Sequence, residues 1–331
     1  MRLKVINLKS VEPHKLLQFL MEWPYRLAYR LQTIPKDKAA DILGDSWLDK
    51  IHNLPMIRGL GVVSGGSLVG AAIISHLDWD SEIFSRKMAS IQAFGALGEY
   101  SGRVAILSFL LEHIHKEYIS TGYVSIHAKV DVVDHAAIHT LERIGYLWMD
   151  TLVVYMQKLN DIKRQASEDK YLIRLANPGD RDLLRALIHI AFKARGEEQS
   201  RFHADPHLPT DKAVQIYEKW IDSLMDEDSG ATVFVAEDDR GIVGLSSYEI
   251  DEKSKRFLSV TLSSIPLSAT HPQFWRKGIY TTLRTEVLHR LSRVADWAQS
   301  RTQINNPVLR RYQAMGAQFV SAYHTFHYWT S

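Results

Sequence analysis

Residues 269–283, ATHPQFWRKGIYTTL, have types and spacing that suit binding an anion. A strand-like run through Ala269 and Thr270 ends there. Pro272 blocks regular continuation, and a basic glycine turn then opens a helical pattern. A helix start presents backbone N–H groups without intrahelical partners, and the positive end of the helix dipole. Gly278 lets the backbone approach a phosphate closely, and Arg276 and Lys277 add positive charge. Trp275, Ile279, Tyr280 and Thr281 complete the turn and the first helical residues. By itself the segment also fits a plain turn with solvated basic residues.

A second constellation follows at 303–316, QINNPVLRRYQAMG. Asn306 is placed to cap a helix and Pro307 suits its first turn. Tyr312 then falls inside that helix, either as a packing ring or as a proton donor. A third, at 200–220, reads SRFHADPHLPTDKAVQIYEKW. Arg201 could pair with a phosphate, and His203 could accept a proton from an amine. Loop packing or a salt bridge from Arg201 to Asp205 or Glu198 would explain the same residues. Tyr217, Trp220 and Ile221 suit the buried face of a helix.

The elements that must position these residues repeat. Residues 171–177 read as a strand, as do residues 2–7. Residues 180–194 have helical apolar spacing, with Asp180 as a possible N-cap. A strand–turn–strand unit at 232–250 matches the one around Gly65 and Gly66. Gly244 and Gly70 correspond at an offset of 174 (244 − 70), and Gly316 and Gly145 at 171 (316 − 145). A duplicated domain follows. Each half reads as a strand and helices, three strands, a helix, a strand, a helix and a final strand pair, which in the second half is a hairpin near 318–329. The fold class is α/β: two tandem domains, each a mixed, mostly antiparallel sheet flanked by helices. The expected boundaries are 1–160, a charged linker at 161–170, and 171–331.

The turn, the last helix and this order of elements resemble the GNAT superfamily of acyl-CoA-dependent N-acyltransferases. Their pyrophosphate turn usually reads V-x-P-x-x-R-G-x-G-I-G, against H-P-Q-F-W-R-K-G-I-Y here. Pro272, Gly278 and Ile279 match. Trp275 replaces the usual Arg or Gln, and Tyr280 the last Gly or Ala. The resemblance implies acetyl-CoA as cosubstrate, held by Ala269, Thr270, Trp275, Arg276, Lys277, Gly278, Ile279, Tyr280, Thr281, Asn305 and Leu309. It implies that Tyr312 protonates the leaving CoA thiolate. Backbone N–H groups at 265–269 would face the developing oxyanion. Residues 200–220, with LDWDSEIF at 77–84, look like the dTDP-fucosamine acetyltransferase branch, which acetylates a nucleotide-linked amino sugar. Ser85 stands where that branch carries Gly. Arg201 and Phe202 would then bind the acceptor, and His203 or, more weakly, Glu249 would be the base. Other primary amines as acceptors, and a non-catalytic acyl-CoA-binding protein, remain open alternatives.

The first half lacks this machinery. Tyr312 aligns with Leu141 and Asn305 with Asp134. Its glycine region, FGALGEYSGRVAIL, keeps Gly102 but places Glu99 beside it. One acetyl-CoA site per chain is expected.

Composition supports two soluble cores: 331 residues, 46% hydrophobic, 24% charged, with a net charge of +2. That balance argues against a nucleic-acid partner. No stretch calls for a membrane, and the amino terminus lacks the apolar core of a signal peptide. Cysteine is absent, which excludes disulfides, Cys-ligated zinc and thiol catalysis, and fits the cytoplasm. His135 and His139 lie one helical turn apart without a third ligand, so no metal is expected. The expected partner is a small-molecule amine, and the oligomeric state is left open.

Overall fold

The computed structural model describes residues 3–23, 25, 35–160, 171–195, 200–252, 254 and 260–330; the expected linker and Glu198 lie outside them. In chain order the first elements are β1 (Lys4–Asn7), α1 (Pro13–Glu22), α2 (Lys36–Asn53), β2 (Ile57–Ser64), β3 (Ser67–His76), α3 (Asp78–Phe84), β4 (Met88–Ala96), α4 (Tyr100–Ser120), β5 (Ser125–Asp131), α5 (His135–Ile144) and β6 (Leu147–Lys158). The second series is β7 (Leu172–Leu175), α6 (Arg181–Lys193), α7 (Arg201–Ala204), α8 (Thr210–Leu224), β8 (Ala231–Asp238), β9 (Gly241–Asp251), β10 (Leu262–Ile265), β11 (Ser268–Thr270), α9 (Ile279–Leu291), β12 (Trp297–Gln303), α10 (Leu309–Ala314) and β13 (Gln318–Trp329).

These elements form two compact units, Met1–Leu152 with Ser321–Ser331, and Val153–Val320. In the first unit β1 to β4 pair antiparallel in order, β4 and β5 pair parallel, and β13 closes the sheet antiparallel to β5. In the second unit β7, β8, β9 and β10 pair antiparallel in order, and β10 runs parallel to β12. Each sheet has apolar cores on both faces. One face of the second sheet packs on α9 through Ile279, Leu283 and Val287, the other on α6 and α8 through Leu184, Ile188 and Ile221.

The paired glycines show why the repeat was readable. Gly70 pairs with Val62 and Ala96, and Gly244 with Ala236 and Thr270, each set 174 residues apart. A Cβ on Gly70 would lie 2.6 Å from Ile106 of α4, and one on Gly244 would lie 2.7 Å from Ile279 of α9. Each glycine lets a helix cross its sheet closely. Gly65 and Gly66, with φ of 57° and 84°, form the tight turn between β2 and β3.

The expected final hairpins are instead single 12-residue strands, β6 and β13. Neither has a turn residue such as Gly or Asn-Gly to fold it back. Both strands run across a unit boundary, so the units differ from a cut at 160–171. Gly145 faces Tyr328 in the first unit, and Gly316 faces Gln157 in the second, each at 4.0 Å from an added Cβ. Tyr328 and Gln157 are themselves 171 apart (328 − 157). Each half's glycine therefore meets the other half's last strand. Asp180 is the N-cap residue of α6, as expected, but its side chain makes no cap bond there. It instead fills the N3 position of a capping box led by Asn177 and is held by Arg174 at 2.7 and 3.0 Å.

Candidate active site

The site begins where two strands part. β10 follows β12 from Leu262 against Trp297 to Ile265 against Ser300. Pro266 then interrupts the ladder, and among the described residues β11 pairs with β9 alone. Leu267 O accepts from Ser247 N, and His271 N donates to Val243 O, both at 2.9 Å. Alternation along the strand therefore turns the N–H groups of Ser268 and Thr270 toward the opening. The expected oxyanion donors at 265–269 narrow accordingly. Pro266 has no N–H, Leu267 N–H goes to Ser247 Oγ at 3.3 Å, and Ser268 N–H faces the opening. Ala269 is buried in the core beneath α6.

The basic turn follows directly. Trp275 is 41% exposed, and its Nε1–H donates to Thr270 O at 2.9 Å. Arg276 adopts φ 63° and Gly278 φ 89°, the left-handed region where glycine is at ease. Gly278 is the N-cap of α9, and no atom of the described residues lies within 4 Å of where its Cβ would be. This open N-terminus, lined by the exposed Arg276 and Lys277, suits a phosphate. Lys277 Nζ and the Arg240 guanidinium flank the buried Phe274 ring at 4.9 and 4.3 Å. They hold positive charge at the turn. Ile279 anchors α9 in the core, and Thr281 is half-buried one turn in.

Tyr312 lies on α10 and is 7% exposed. Asn306 Oδ1 accepts from Val308 N at 3.0 Å and its Nδ2 donates to Thr302 Oγ1 at 2.7 Å. The capping turn is 3-10-like, and regular helix begins only at Leu309, which is half-buried. Asp134 caps α5 by accepting from Ala137 N at 3.1 Å, whereas Asn306 holds only the turn ahead of α10, whose N-cap is Val308, and Asn305 is exposed. The alignment of Tyr312 with Leu141 stands, since Ala317 N bonds Tyr312 O at 2.9 Å as Tyr146 N bonds Leu141 O at 3.0 Å. The Tyr312 ring meets Tyr155 edge-on at 5.7 Å and carries the Arg284 guanidinium over its face at 4.4 Å. Tyr280, one turn before Arg284, interacts with both. Burial pushes its phenol far up.

Arg284 was not anticipated. It is 1% exposed, yet sits in the apolar series Leu283, Val287, Leu288 and Leu291 of α9. An arginine on the buried stripe of an amphipathic helix was the available signal.

The remaining candidates lie on α7, which packs against α8. Phe202 is buried with the Arg201 guanidinium 3.9 Å over its ring, and His203 Nδ1 shares a 2.9 Å hydrogen bond with Ser200 Oγ. Asp205 accepts from His207 N at 2.9 Å. Glu249 is half-buried and accepts from Ser264 Oγ at 3.4 Å. Among the described residues no cluster of three or more His, Cys, Asp or Glu could hold a metal. None of their helices is long and apolar enough to cross a membrane. His139 instead bonds Tyr100 at 2.8 Å.

The first unit's counterpart is built differently. Its left-handed glycine is Gly98, φ 103°, ahead of α4, whereas Gly102 lies inside the helix and is not the turn residue. Glu99 is the N-cap, with no basic pair before it.

Two units of this kind, each with parted strands beside a helix start, define a tandem GNAT fold. The whole chain is similar to a tandem GNAT protein from the clavulanic acid biosynthesis pathway, with a TM-score of 0.62 and 13% identity over 99% of this chain and 98% of that one. It is also similar to a GCN5-related N-acetyltransferase from Sphaerobacter thermophilus, with a TM-score of 0.62 and 15% identity over 99% and 95%. A glucosamine N-acetyltransferase region in a fungal multi-domain GH3 β-N-acetylglucosaminidase gives 0.61 at 13% identity, over 99% of this chain and 38% of that one. No protein-family model and no curated protein matches the sequence. At these identities the likeness is one of fold.

Proposed function

We propose that the chain is an acyl-CoA-dependent N-acetyltransferase with one active site, in the second unit. The observation that carries this reading is the open, left-handed Gly278 turn at the start of α9, set beside the edge of β11 that no described strand covers. Acetyl-CoA would lay its pantetheine arm along Ser268 to Thr270 and its pyrophosphate on residues 275–281. A neutral primary amine attacks the thioester carbonyl, with the oxyanion facing the Ser268 N–H. The carbon–sulfur bond breaks, and Tyr312 gives its phenolic proton to the departing sulfur. His203 or Glu249 takes the proton released from the nitrogen.

The acceptor we favour is a nucleotide-linked amino sugar, held by Arg201 and Phe202. The sequence around α7 and α3 supports this choice. Ser85 closes α3 at φ 54°, the left-handed geometry that the glycine of similar sequences would supply. The absence of cysteine suits work in the cytoplasm.

Turnover of acetyl-CoA with a panel of primary amines, followed by thiol release, tests the reading. Tyr312→Phe should lower turnover about 10²–10⁴-fold, with the acetyl-CoA dissociation constant nearly unchanged. Full turnover in that variant would remove Tyr312 from the mechanism. Binding of acetyl-CoA without turnover of any amine would favour a non-catalytic acyl-CoA-binding protein.

A further inference from the structure

Arg284 is the largest fully buried side chain in the described structure. Its partners are all neutral: Ser300 Oγ at 3.1 Å, Gln157 Oε1 at 3.4 Å and Tyr280 Oη at 3.5 Å. Its Nε has no hydrogen-bond partner among the described residues. A guanidinium taken out of water without a carboxylate beside it is a net cost to the fold, and a leucine or methionine would fill the space without that cost. What the charge does touch is the face of the Tyr312 ring, at 4.4 Å. The face of a phenol is electron-rich, and that of a phenolate carries far more negative charge. A fixed cation at that distance holds the ring by its attraction to the face and lies where negative charge develops as the proton leaves.

We propose that Arg284 is a positioning residue that acts through Tyr312, holding its ring in place and stabilising the phenolate formed during acetyl transfer. The proposal rests on the transferase reading above. As the amine nitrogen bonds to the acetyl carbon, the carbon–sulfur bond breaks with its electron pair on sulfur. Sulfur takes the Tyr312 proton, and the phenolate left behind lies against the guanidinium. The proton released from the nitrogen later restores the phenol. Among the described residues, the other charged and titratable groups facing this pair are Tyr280 on α9, Tyr155 on β6 and Arg195 just beyond α6, the last of which feels both Tyr312 and Tyr280.

The test is a double-mutant cycle in the full-length protein, with thiol release as the readout and the best amine of the panel as acceptor. Arg284→Gln should lower kcat about tenfold or more, with the acetyl-CoA dissociation constant unchanged by calorimetry. Arg284→Lys, which restores a cation, should recover most of that loss. In a Tyr312→Phe background Arg284→Gln should cost nothing further. A merely structural arginine would lower turnover equally in both backgrounds, and that additivity would overturn the proposal. So would equal loss in the Lys and Gln variants. An unaltered kcat in Tyr312→Phe alone would instead overturn the underlying role of Tyr312. Failure of the unaltered protein to turn over any amine would remove the transferase reading and this proposal together.

Discussion

The Arg103 guanidinium joins the Asp134 carboxylate to the Ala96 carbonyl, which Nε meets at 3.2 Å, and so ties the far ends of β4 and β5 together. Its remaining nitrogen donates to Tyr25 Oη at 3.2 Å. Ala96 is the counterpart of Thr270, as both pair with the crossing glycine of their unit. In the first unit the parted strands are therefore bridged by an internal ion pair, whereas in the second the Thr270 carbonyl is met by the Trp275 indole and no described strand pairs with that edge of β11.

That bridge makes a stability prediction. Asp134 is 1% exposed, and burial pushes its carboxyl above the usual range despite Arg103 and the Ala137 N–H. Its charged form thus depends on its partners. Removing one member of a buried pair strands the other, at a cost of about 3–5 kcal/mol. Asp134→Ala should lower the free energy of urea unfolding of the first unit by that amount, while acetyl-CoA binding per folded molecule stays the same. A loss below about 1 kcal/mol would show the bridge to be incidental.

The duplication, the mixed sheets and the left-handed glycine turn were legible because local chemistry marks them, whereas Tyr312 was singled out by the family resemblance. A glycine at a close crossing, a proline before a helix and a basic turn each follow from backbone sterics. The exchange of the last strands was not legible. Residues 147–158 and 318–329 have the same strand-like composition in either unit, and only pairing decides which sheet they complete. Gly102 misled for a related reason. Gly98, four residues earlier, carries the positive φ, and an isolated glycine in a sequence does not announce its conformation. Arg284 was passed over because an arginine in a surface helix that also carries Arg290 reads as a solvated charge, although its place in the apolar series marked it.

His115 gives a pH prediction. It lies on α4, packs against Tyr328 with ring centroids 4.3 Å apart and tilted by 35°, and shares a 2.9 Å hydrogen bond with Tyr146 Oη. Burial lowers its pKa from 6.5 to about 4. The unfolded chain therefore binds the proton more readily than the folded one between those values. Stability is full above pH 6.5 and falls as pH drops toward 4, by about 2 kcal/mol after allowance for partial exposure. His115→Phe should flatten melting temperature against pH across that window. An equally steep slope in the variant would assign the acid sensitivity elsewhere.

Trp275 offers a spectroscopic handle. Its indole lies on the Thr270 carbonyl, at the edge where the pantetheine arm is expected. Acetyl-CoA should change the intrinsic tryptophan fluorescence, and Trp275→Phe should abolish most of that change while the protein still binds. An unchanged response in Trp275→Phe would mean the indole stays outside the site.

Gly278→Asp should weaken acetyl-CoA binding at least tenfold. The new side chain enters open space but must adopt φ 89°, at about 1–2 kcal/mol, and its carboxylate opposes the pyrophosphate. A melting temperature within a few degrees of the parent would show that the fold survives. Unchanged affinity would move the phosphate site away from this turn.

Isothermal titration of the full-length chain with acetyl-CoA tests the central claim most directly. A single functional site in the second unit predicts one molecule bound per chain, lost or sharply weakened in Gly278→Asp and retained in Asp134→Ala. Two equivalent sites, or one that survives Gly278→Asp and disappears in Asp134→Ala, would contradict it.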